Sequence, residues 1–230
     1  MKRRVVIAID GPGGAGKSTV ARRVADRLHF LYIDTGAMYR AVALWAERQN
    51  ISWDDALAME QLAKAAQIEL QSNPVKVTLN GEDVTEAIRR PDISQGASKV
   101  SVFRGVREAL VEKQREMASR SSVVMEGRDI GTVVFPEADV KIFLDADVRV
   151  RAERRSRELE QKGLPVPRLE EAVEDLKVRD ERDCNRRDAP LRQAPDANLV
   201  DTTPYTIEQV EEKILKLIRK KISNGKEFER

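Results

Sequence analysis

A glycine-rich segment near the N-terminus could do chemistry on a phosphate. The run Gly11-Pro12-Gly13-Gly14-Ala15-Gly16-Lys17-Ser18 fits the pattern G-x-x-x-x-G-K-[ST] in full. Glycines let backbone N–H groups converge on a phosphate, and the helix that follows adds its positive N-terminal end. We expect Lys17 to reach the β- and γ-phosphates of a nucleotide and Ser18 to hold Mg²⁺. The predicted ATP-binding residues are Gly11, Pro12, Gly13, Gly14, Ala15, Gly16, Lys17, Ser18 and Thr19.

This loop predicts nucleotide binding but does not choose a reaction, because GTPases and motor ATPases share it. The guanine-reading pattern Asn-Lys-x-Asp, typical of GTPases, does not occur in the 230 residues. Large ATPases need a longer chain. A small-molecule kinase is therefore the favoured interpretation.

A second polar segment follows the next predicted strand and reads Asp34-Thr35-Gly36-Ala37-Met38-Tyr39-Arg40. We expect Thr35 to cap the helix that begins here, since threonine is a favoured capping residue. Arg40 lies about one turn further and is expected to face the cleft. A helix start with a surface arginine is the alternative.

A third polar segment, Glu126-Gly127-Arg128-Asp129, follows another short apolar strand. An acidic residue at such a strand end, opposite a phosphate loop, commonly supports Mg²⁺ or its water shell, and we predict this for Glu126. Arg128 offers a cation for a phosphate, and Asp129 offers an acceptor for the amino group of a base. A charged turn without function is the alternative.

Two arginine-rich segments come later in the chain. Arg151 and Arg155 are spaced i,i+4, and Arg179, Asp183 and Arg186 are spaced i,i+4,i+7, so each set shares a helix face. Such runs are often solvated faces. Their position after the fourth strand nevertheless favours a lid over ATP, and the planar, permanently charged fork of arginine suits a transferring phosphoryl group.

The elements that must position these residues alternate between strands and helices. Buried apolar strands, of which Val5 to Ile9 is the first, alternate with amphipathic helices, and this order predicts a doubly wound α/β sheet. Ligands bind such sheets beyond the carboxyl ends of the strands. Alternating apolar residues around Asn80-Gly81 predict a small antiparallel insert.

We predict one domain. Its core comprises residues 1–66, 96–149 and 190–222, the insert 67–95, the lid about 150–168, and a flexible tail 223–230.

The composition of the chain limits the kinds of partner that we expect it to bind. The chain has 41 basic and 39 acidic residues, so we expect neither a large nucleic-acid surface nor a membrane surface. No run approaches the roughly 20 apolar residues of a membrane span. The single cysteine, Cys184, allows no intramolecular disulfide and suits a reducing compartment. We expect a cytoplasmic monomer, with His29 and Cys184 playing no catalytic part.

The motifs together resemble the bacterial cytidylate kinases, a family of P-loop nucleoside monophosphate kinases. The resemblance runs from Ile7 to about Thr202, through the phosphate loop, Asp34 to Arg40, Gly127 to Thr132 and Arg179 to Arg186. It implies a three-layer α/β/α fold, ATP and Mg²⁺, and CMP or dCMP as the acceptor. The implied CMP-binding residues are Thr35, Arg40, Ser98, Arg107, Arg128, Asp129, Arg179, Asp183 and Arg186.

Within that set, the resemblance implies that Ser98, Arg107 and Asp129 read the cytosine edge. Arg179 and Asp183 would hold the sugar, while Arg40, Arg128 and Arg186 would grip the phosphate. Glu126 stands where many family members carry Asp, which leaves the part that this longer side chain plays toward Mg²⁺ open.

The expected reaction is in-line transfer of the γ-phosphoryl group of ATP to CMP. The acceptor phosphate, with a second pKa of about 6, is mostly dianionic at pH 7, so no general base is required. The obstacle is repulsion between two anions, and the predicted catalytic residues that offset it are Lys17, Arg128, Arg151 and Arg155.

Two alternatives stay open. The acceptor could be UMP, AMP, dTMP or a non-nucleotide acid. In another class, the chain could be a nucleotide-dependent module that contacts RNA through its arginine helices and Arg219-Lys220-Lys221.

Overall fold

A computed structural model describes residues 3–223. A five-stranded sheet forms the centre, with its strands in the order β2-β6-β1-β7-β8 and every neighbouring pair parallel. The strands of the chain are β1 Val6–Asp10, β2 Leu31–Asp34, β3 Ile68–Ser72, β4 Val75–Leu79, β5 Glu82–Asp83, β6 Val123–Gly127, β7 Val140–Asp145 and β8 Asn198–Asp201. The helices are α1 Lys17–Leu28, α2 Thr35–Arg48, α3 Ala56–Ala65, α4 Pro91–Val100, α5 Arg104–Ala118, α6 Val148–Gln161, α7 Leu169–Asn185 and α8 Ile207–Ser223.

Helices cover both faces of the parallel sheet, which is why β1 is apolar up to its last residue and β6 is apolar over its first three residues. Ile7 and Ile9 of β1 point to one face and pack with α1 and α8. Ala8 and Met125 point to the other face and pack with Val111 of α5. This three-layer arrangement confirms the predicted doubly wound fold.

The antiparallel insert is a separate three-stranded sheet, β3-β4-β5, as the alternating pattern predicted. Asn80 and Gly81 both have positive φ, 52° and 84°, as a tight hairpin turn requires. The insert packs on α2 to α5 around its own apolar core. Helix α4 begins at Pro91, inside the range predicted for the insert, because proline fits the first turn of a helix.

Helices α6 and α7 form a hairpin beside the phosphate loop. A small apolar cluster of Ala152, Ala172 and Leu176 holds the two helices together. The segment predicted as the lid comprises most of α6 and the connection to α7.

Three local features differ from the sequence-based expectation. Helix α2 is capped by Asp34, whose carboxylate accepts a hydrogen bond from the N–H of Ala37, and not by Thr35. The segment from Ser98 to Ser119, whose sequence favours one largely helical stretch, is divided by a break between α4 and α5. A single π-helical turn, Ile130–Val134, follows β6 and was not predicted.

Among residues 3–223, no helix combines the length and the apolar character needed to cross a membrane. Beyond Ser223, the predicted tail lies outside the described residues.

Candidate active site

The register of the central strands brings the three polar segments of the sequence to one edge of the sheet. Asp10 at the end of β1 is paired with Gly127 of β6, and Asp34 at the end of β2 is paired with Glu126. The phosphate loop, the start of α2 and the segment from Glu126 to Asp129 therefore lie side by side.

The phosphate loop depends on glycine where it leaves β1. Gly11 has φ of 147°, and a Cβ built there would lie 2.0 Å from the carbonyl oxygen of Leu144, so no larger residue fits. Gly14 also has a positive φ, of 77°. The loop ends at Lys17, the first residue of α1.

Lys17 is buried, and its Nζ donates a hydrogen bond to the carbonyl oxygen of Pro12 at 2.7 Å. Burial and the nearby Arg128 lower the pKa of Lys17 to about 7. A bound phosphate would favour the charged form, so the side chain is suited to an anion.

Glu126 lies beneath the loop and is also buried. Its Oε1 accepts a hydrogen bond from the hydroxyl of Tyr32 at 2.5 Å, and the side chain of Ser18 lies nearby. Burial and the charge of Asp34 raise the pKa of Glu126. Hydroxyl and carboxylate oxygens are the donors that Mg²⁺ prefers, so Ser18 and Glu126 fit this ion.

Arginines and one aspartate gather opposite the loop. Arg128 pairs with Asp183 at 2.8 Å, and Arg186 lies 4.0 Å from the same carboxylate. Burial raises the pKa of Asp183, but Arg128, Arg179 and Arg186 outweigh burial and hold it below its usual value. Asp183 is therefore charged at neutral pH and orders the cations around it.

Three of these arginines have buried N–H groups that lack a hydrogen-bond partner within residues 3–223. The atoms are Nε of Arg40, Nε of Arg179 and Nη2 of Arg186. A buried donor without a partner is costly in free energy, so such groups commonly await a ligand. Anionic oxygens are the partners that guanidinium groups bind best.

The loop and the arginine group adjoin each other. A Cβ built on Gly13 would lie 3.6 Å from Nη2 of Arg128 and 4.0 Å from Cδ of Arg179. Two anions, one in the loop and one on these arginines, would therefore meet end to end.

A buried wall lies next to the arginines. Asp129 forms an ion pair with Arg107, whose guanidinium also lies 5.8 Å from the ring centroid of Tyr39. Ser98 is buried on α4, and its Oγ accepts a hydrogen bond from Nη1 of Arg182 at 3.0 Å. Paired charges and a hydroxyl in a buried wall can distinguish one heterocyclic edge from another.

The two lid arginines differ in their surroundings. Arg151 is buried, donates to the carbonyl oxygen of Gly13 at 3.0 Å and pairs with Asp180 at 2.7 Å. Arg155 keeps 30% of its side chain exposed and pairs with Glu158 of its own helix at 3.1 Å. Arg151 thus stabilises the backbone of the phosphate loop, whereas Arg155 is the cation that is more accessible to solvent.

Asp10 links the phosphate loop to the buried wall. Its carboxylate accepts hydrogen bonds from the N–H groups of Ile130 and Gly131, both at 2.8 Å, directly after Asp129. Burial raises the pKa of Asp10 to about 6. Sequence reasoning missed this role, although an aspartate that ends an apolar strand just before Gly11 was a signal.

Sequence reasoning also missed Tyr32, Asp180 and Arg182, which contact predicted site residues. Asp180 and Arg182 lie within the segment Arg179 to Arg186 that carries the family resemblance, but their partners are distant in the chain, so no spacing indicates what they contact. The predicted site residues otherwise gather at this one edge of the sheet, on β6, α1, α2, α4 to α7 and the phosphate loop.

A family model described as cytidylate kinase matches residues 7–220. The chain belongs to the cytidylate kinase family. A cytidylate kinase from Solibacter usitatus is 59% identical over 228 residues, covering 99% of this chain and 97% of that protein. A cytidylate kinase from Syntrophotalea carbinolica is 49% identical, covering 95% of this chain and 93% of that protein.

A solved structure outside the cytidylate kinases has the same fold. The shikimate kinase of Bacteroides thetaiotaomicron aligns with a TM-score of 0.50 at 17% identity, covering 94% of this chain and 98% of that one. At this identity, the likeness concerns the fold alone.

Proposed function

We propose that this chain transfers the γ-phosphoryl group of ATP to a phosphate oxygen of CMP or dCMP, and forms CDP or dCDP and ADP. The observation that carries the proposal is that the phosphate loop at Gly13 adjoins the arginine group at Arg128. Membership of the cytidylate kinase family supports the same acceptor.

The donor occupies the loop from Gly11 to Thr19. Backbone N–H groups and the N-terminal end of α1 hold the phosphates, and Lys17 exchanges its bond to Pro12 for the β- and γ-phosphates. Ser18 and Glu126 hold Mg²⁺. When bound, this ion supplies charge neutralisation on the donor phosphates.

The acceptor phosphate lies on Arg40, Arg128 and Arg186. The buried N–H groups of Arg40 and Arg186 that lack partners within residues 3–223 would donate to it. Arg179 and Asp183 hold the sugar, and Thr35 lies near the nucleoside, where its hydroxyl now donates to the carbonyl oxygen of Glu126 at 2.7 Å.

The base lies against Ser98, Arg107 and Asp129. Cytosine presents an amino group at C4, which the carboxylate of Asp129 accepts, whereas uracil presents a carbonyl oxygen there. Because the side chain of Arg107 fixes this carboxylate, uracil would place two acceptors against each other.

Catalysis then requires positioning and charge more than proton transfer. The acceptor phosphate is already mostly dianionic at pH 7, so it needs no general base. Lys17, Arg128 and Arg155 offset repulsion between the two anions, and Arg151 holds the backbone of the loop in place. Closure of the lid, residues 150–168, excludes water and limits ATP hydrolysis.

The remaining assignments belong to the same proposal. The division into core, insert and lid is part of it, with the end of the predicted insert, from Pro91 onward, forming the start of α4. The enzyme acts as a cytoplasmic monomer on nucleotides, without a nucleic-acid or membrane partner.

The test is a coupled assay of ADP release with Mg-ATP and CMP. The purified chain should produce CDP, and Lys17→Ala should lower turnover by at least about 10²-fold, the loss typical of one preorganised charge-stabilising donor. Lys216→Ala, which changes an exposed lysine of α8, is the control and should leave turnover unchanged. Near-normal activity of Lys17→Ala would refute the role of the loop.

A further inference from the structure

We propose that Arg182 is a positioning residue that holds the hydroxyl of Ser98 in the orientation needed to read the acceptor base. The inference rests on the proposed function, because it assigns a role within the same base site. Arg182 is not among the predicted site residues, and it acts on the base site through the side chain of Ser98.

The two residues come from separate parts of the chain. Ser98 lies in the last turns of α4, and Arg182 lies near the end of α7. Nη1 of Arg182 donates to Oγ of Ser98 at 3.0 Å across 84 residues of sequence. The bond thus ties the wall of the base site to the helix that carries Arg179 and Asp183.

Serine in a helix has a competing partner. Its hydroxyl readily bonds the carbonyl oxygen four residues earlier on the same helix, and the side chain then turns along the helix. A hydrogen bond from a charged guanidinium is stronger than one between neutral groups. The bond from Arg182 occupies one lone pair of Oγ and fixes the position of the hydroxyl oxygen, which leaves its hydrogen and the second lone pair for a ligand.

Arg182 differs in its partners from three other arginines of the site. Arg107, Arg128 and Arg151 each form an ion pair with an aspartate. Within residues 3–223, Arg182 has no carboxylate within 4.0 Å, and the Ser98 hydroxyl is the side-chain group that it bonds. The positive charge of Arg182 consequently orients the Ser98 hydroxyl and does not neutralise a carboxylate.

The experiment is a double-mutant cycle with Arg182→Met, Ser98→Ala and the double variant, measured as kcat and KM for CMP and for UMP. Arg182→Met should raise the KM for CMP about tenfold, leave kcat within about threefold of the parent and lower the CMP/UMP ratio of kcat/KM. A hydrogen bond to a charged group is worth about this much. Arg182→Lys, which keeps a charged donor, should recover part of the loss.

Non-additivity is the decisive readout. If Arg182 acts through Ser98, the double variant should be no worse than Ser98→Ala, because the second change removes an interaction already lost. Additive losses would show a separate role of Arg182, such as direct contact with the nucleotide, and would overturn the proposal. So would an unchanged KM in Arg182→Met.

Two controls keep the test decisive. Arg187→Met changes an exposed arginine just beyond α7 and should match the parent. If Arg182→Met does not fold, Arg182→Gln, whose side chain is two bonds shorter, replaces it in the cycle. A parent chain that makes no CDP would refute the proposed function, whereas an active parent with an unaffected Arg182 variant would refute this inference alone.

Discussion

The guanidinium group of Arg107 pairs with the carboxylate of Asp129, and both side chains are buried at the carboxyl end of the sheet. In the proposed function, the pair fixes an acceptor for the exocyclic amino group of cytosine. Asp10 supports the same turn from the opposite side through the two N–H groups that follow Asp129. The proposed base-reading residue is thus tied, through Asp10, to the strand that leads into the phosphate loop.

Asp129→Asn should weaken the discrimination of CMP from UMP. An amide can present either an acceptor or a donor, so it can satisfy the carbonyl oxygen of uracil as well as the amino group of cytosine. We expect the CMP/UMP ratio of kcat/KM to fall at least about tenfold, since sites that bond one polar edge discriminate by larger factors. Asp26→Asn on α1 is the exposed control. A parental ratio in Asp129→Asn would disprove the base-reading role.

Nucleotide binding should take up a proton at Lys17. Because burial and the charge of Arg128 lower the pKa of this lysine to about 7, it is mostly neutral at pH 8 in the free protein. Bound phosphates favour its charged form. Calorimetric titration with Mg-ATP at pH 8, in buffers of different ionisation enthalpy, should reveal uptake approaching one proton. Lys17→Arg stays charged throughout and should lose this uptake; equal values in both proteins would contradict the prediction.

Arg151 and Arg155 should behave differently when each is changed to Met. Arg151 bonds the carbonyl oxygen of Gly13 and pairs with Asp180, so its loss should raise the KM for ATP and lower the melting temperature. Breaking a buried ion pair commonly costs about 3–5 kcal/mol. Arg155→Met should instead lower kcat with little change in melting temperature. Loss of stability in Arg155→Met, and not in Arg151→Met, would reverse these assignments.

Asp10 should make stability depend on pH in a defined direction. Burial raises its pKa to about 6, above the ordinary value of 3.8, so the folded state binds the proton more tightly than the unfolded state. This contribution to stability is complete below pH 3.8 and is lost as the pH rises through 6. The charged neighbours that face the carboxylate are Asp129, which raises the pKa, and Lys17, which lowers it.

The measurement compares the parent with Asp10→Asn by chemical denaturation. Their difference in free energy of unfolding, parent minus variant, should rise by about 1 kcal/mol between pH 7 and pH 5. Titrating groups that do not interact with Asp10 cancel in this difference. A constant difference would show that Asp10 has an ordinary pKa in the folded protein.

The sequence predicted the parallel sheet and the phosphate loop because each of them depends on residues that are neighbours in the chain. Five apolar residues, Val5 to Ile9, precede the loop, and an amphipathic helix follows Lys17. Few local structures other than a strand, a loop and a helix fit this order. The cap of α2 was predicted at Thr35 and lies at Asp34, since adjacent residues can both accept the bond and only the backbone conformation decides.

The supporting residues could not be predicted in the same way. Asp10 bonds N–H groups that lie 120 and 121 residues further along the chain, and Arg151 bonds a carbonyl 138 residues earlier. Spacing in the sequence says nothing of such pairs, which exist only once strands and helices have packed. The sequence shows that each of these residues is polar, but it does not show which group each residue bonds.

The most direct test of the central claim is a panel of acceptors, CMP, dCMP, UMP and AMP, assayed with Mg-ATP by ADP release. The account predicts that CMP and dCMP are phosphorylated with kcat/KM at least about 10²-fold above UMP and AMP, as expected for a site that bonds a polar edge. Absence of CDP formation from CMP, or a preference for UMP or AMP, would contradict it.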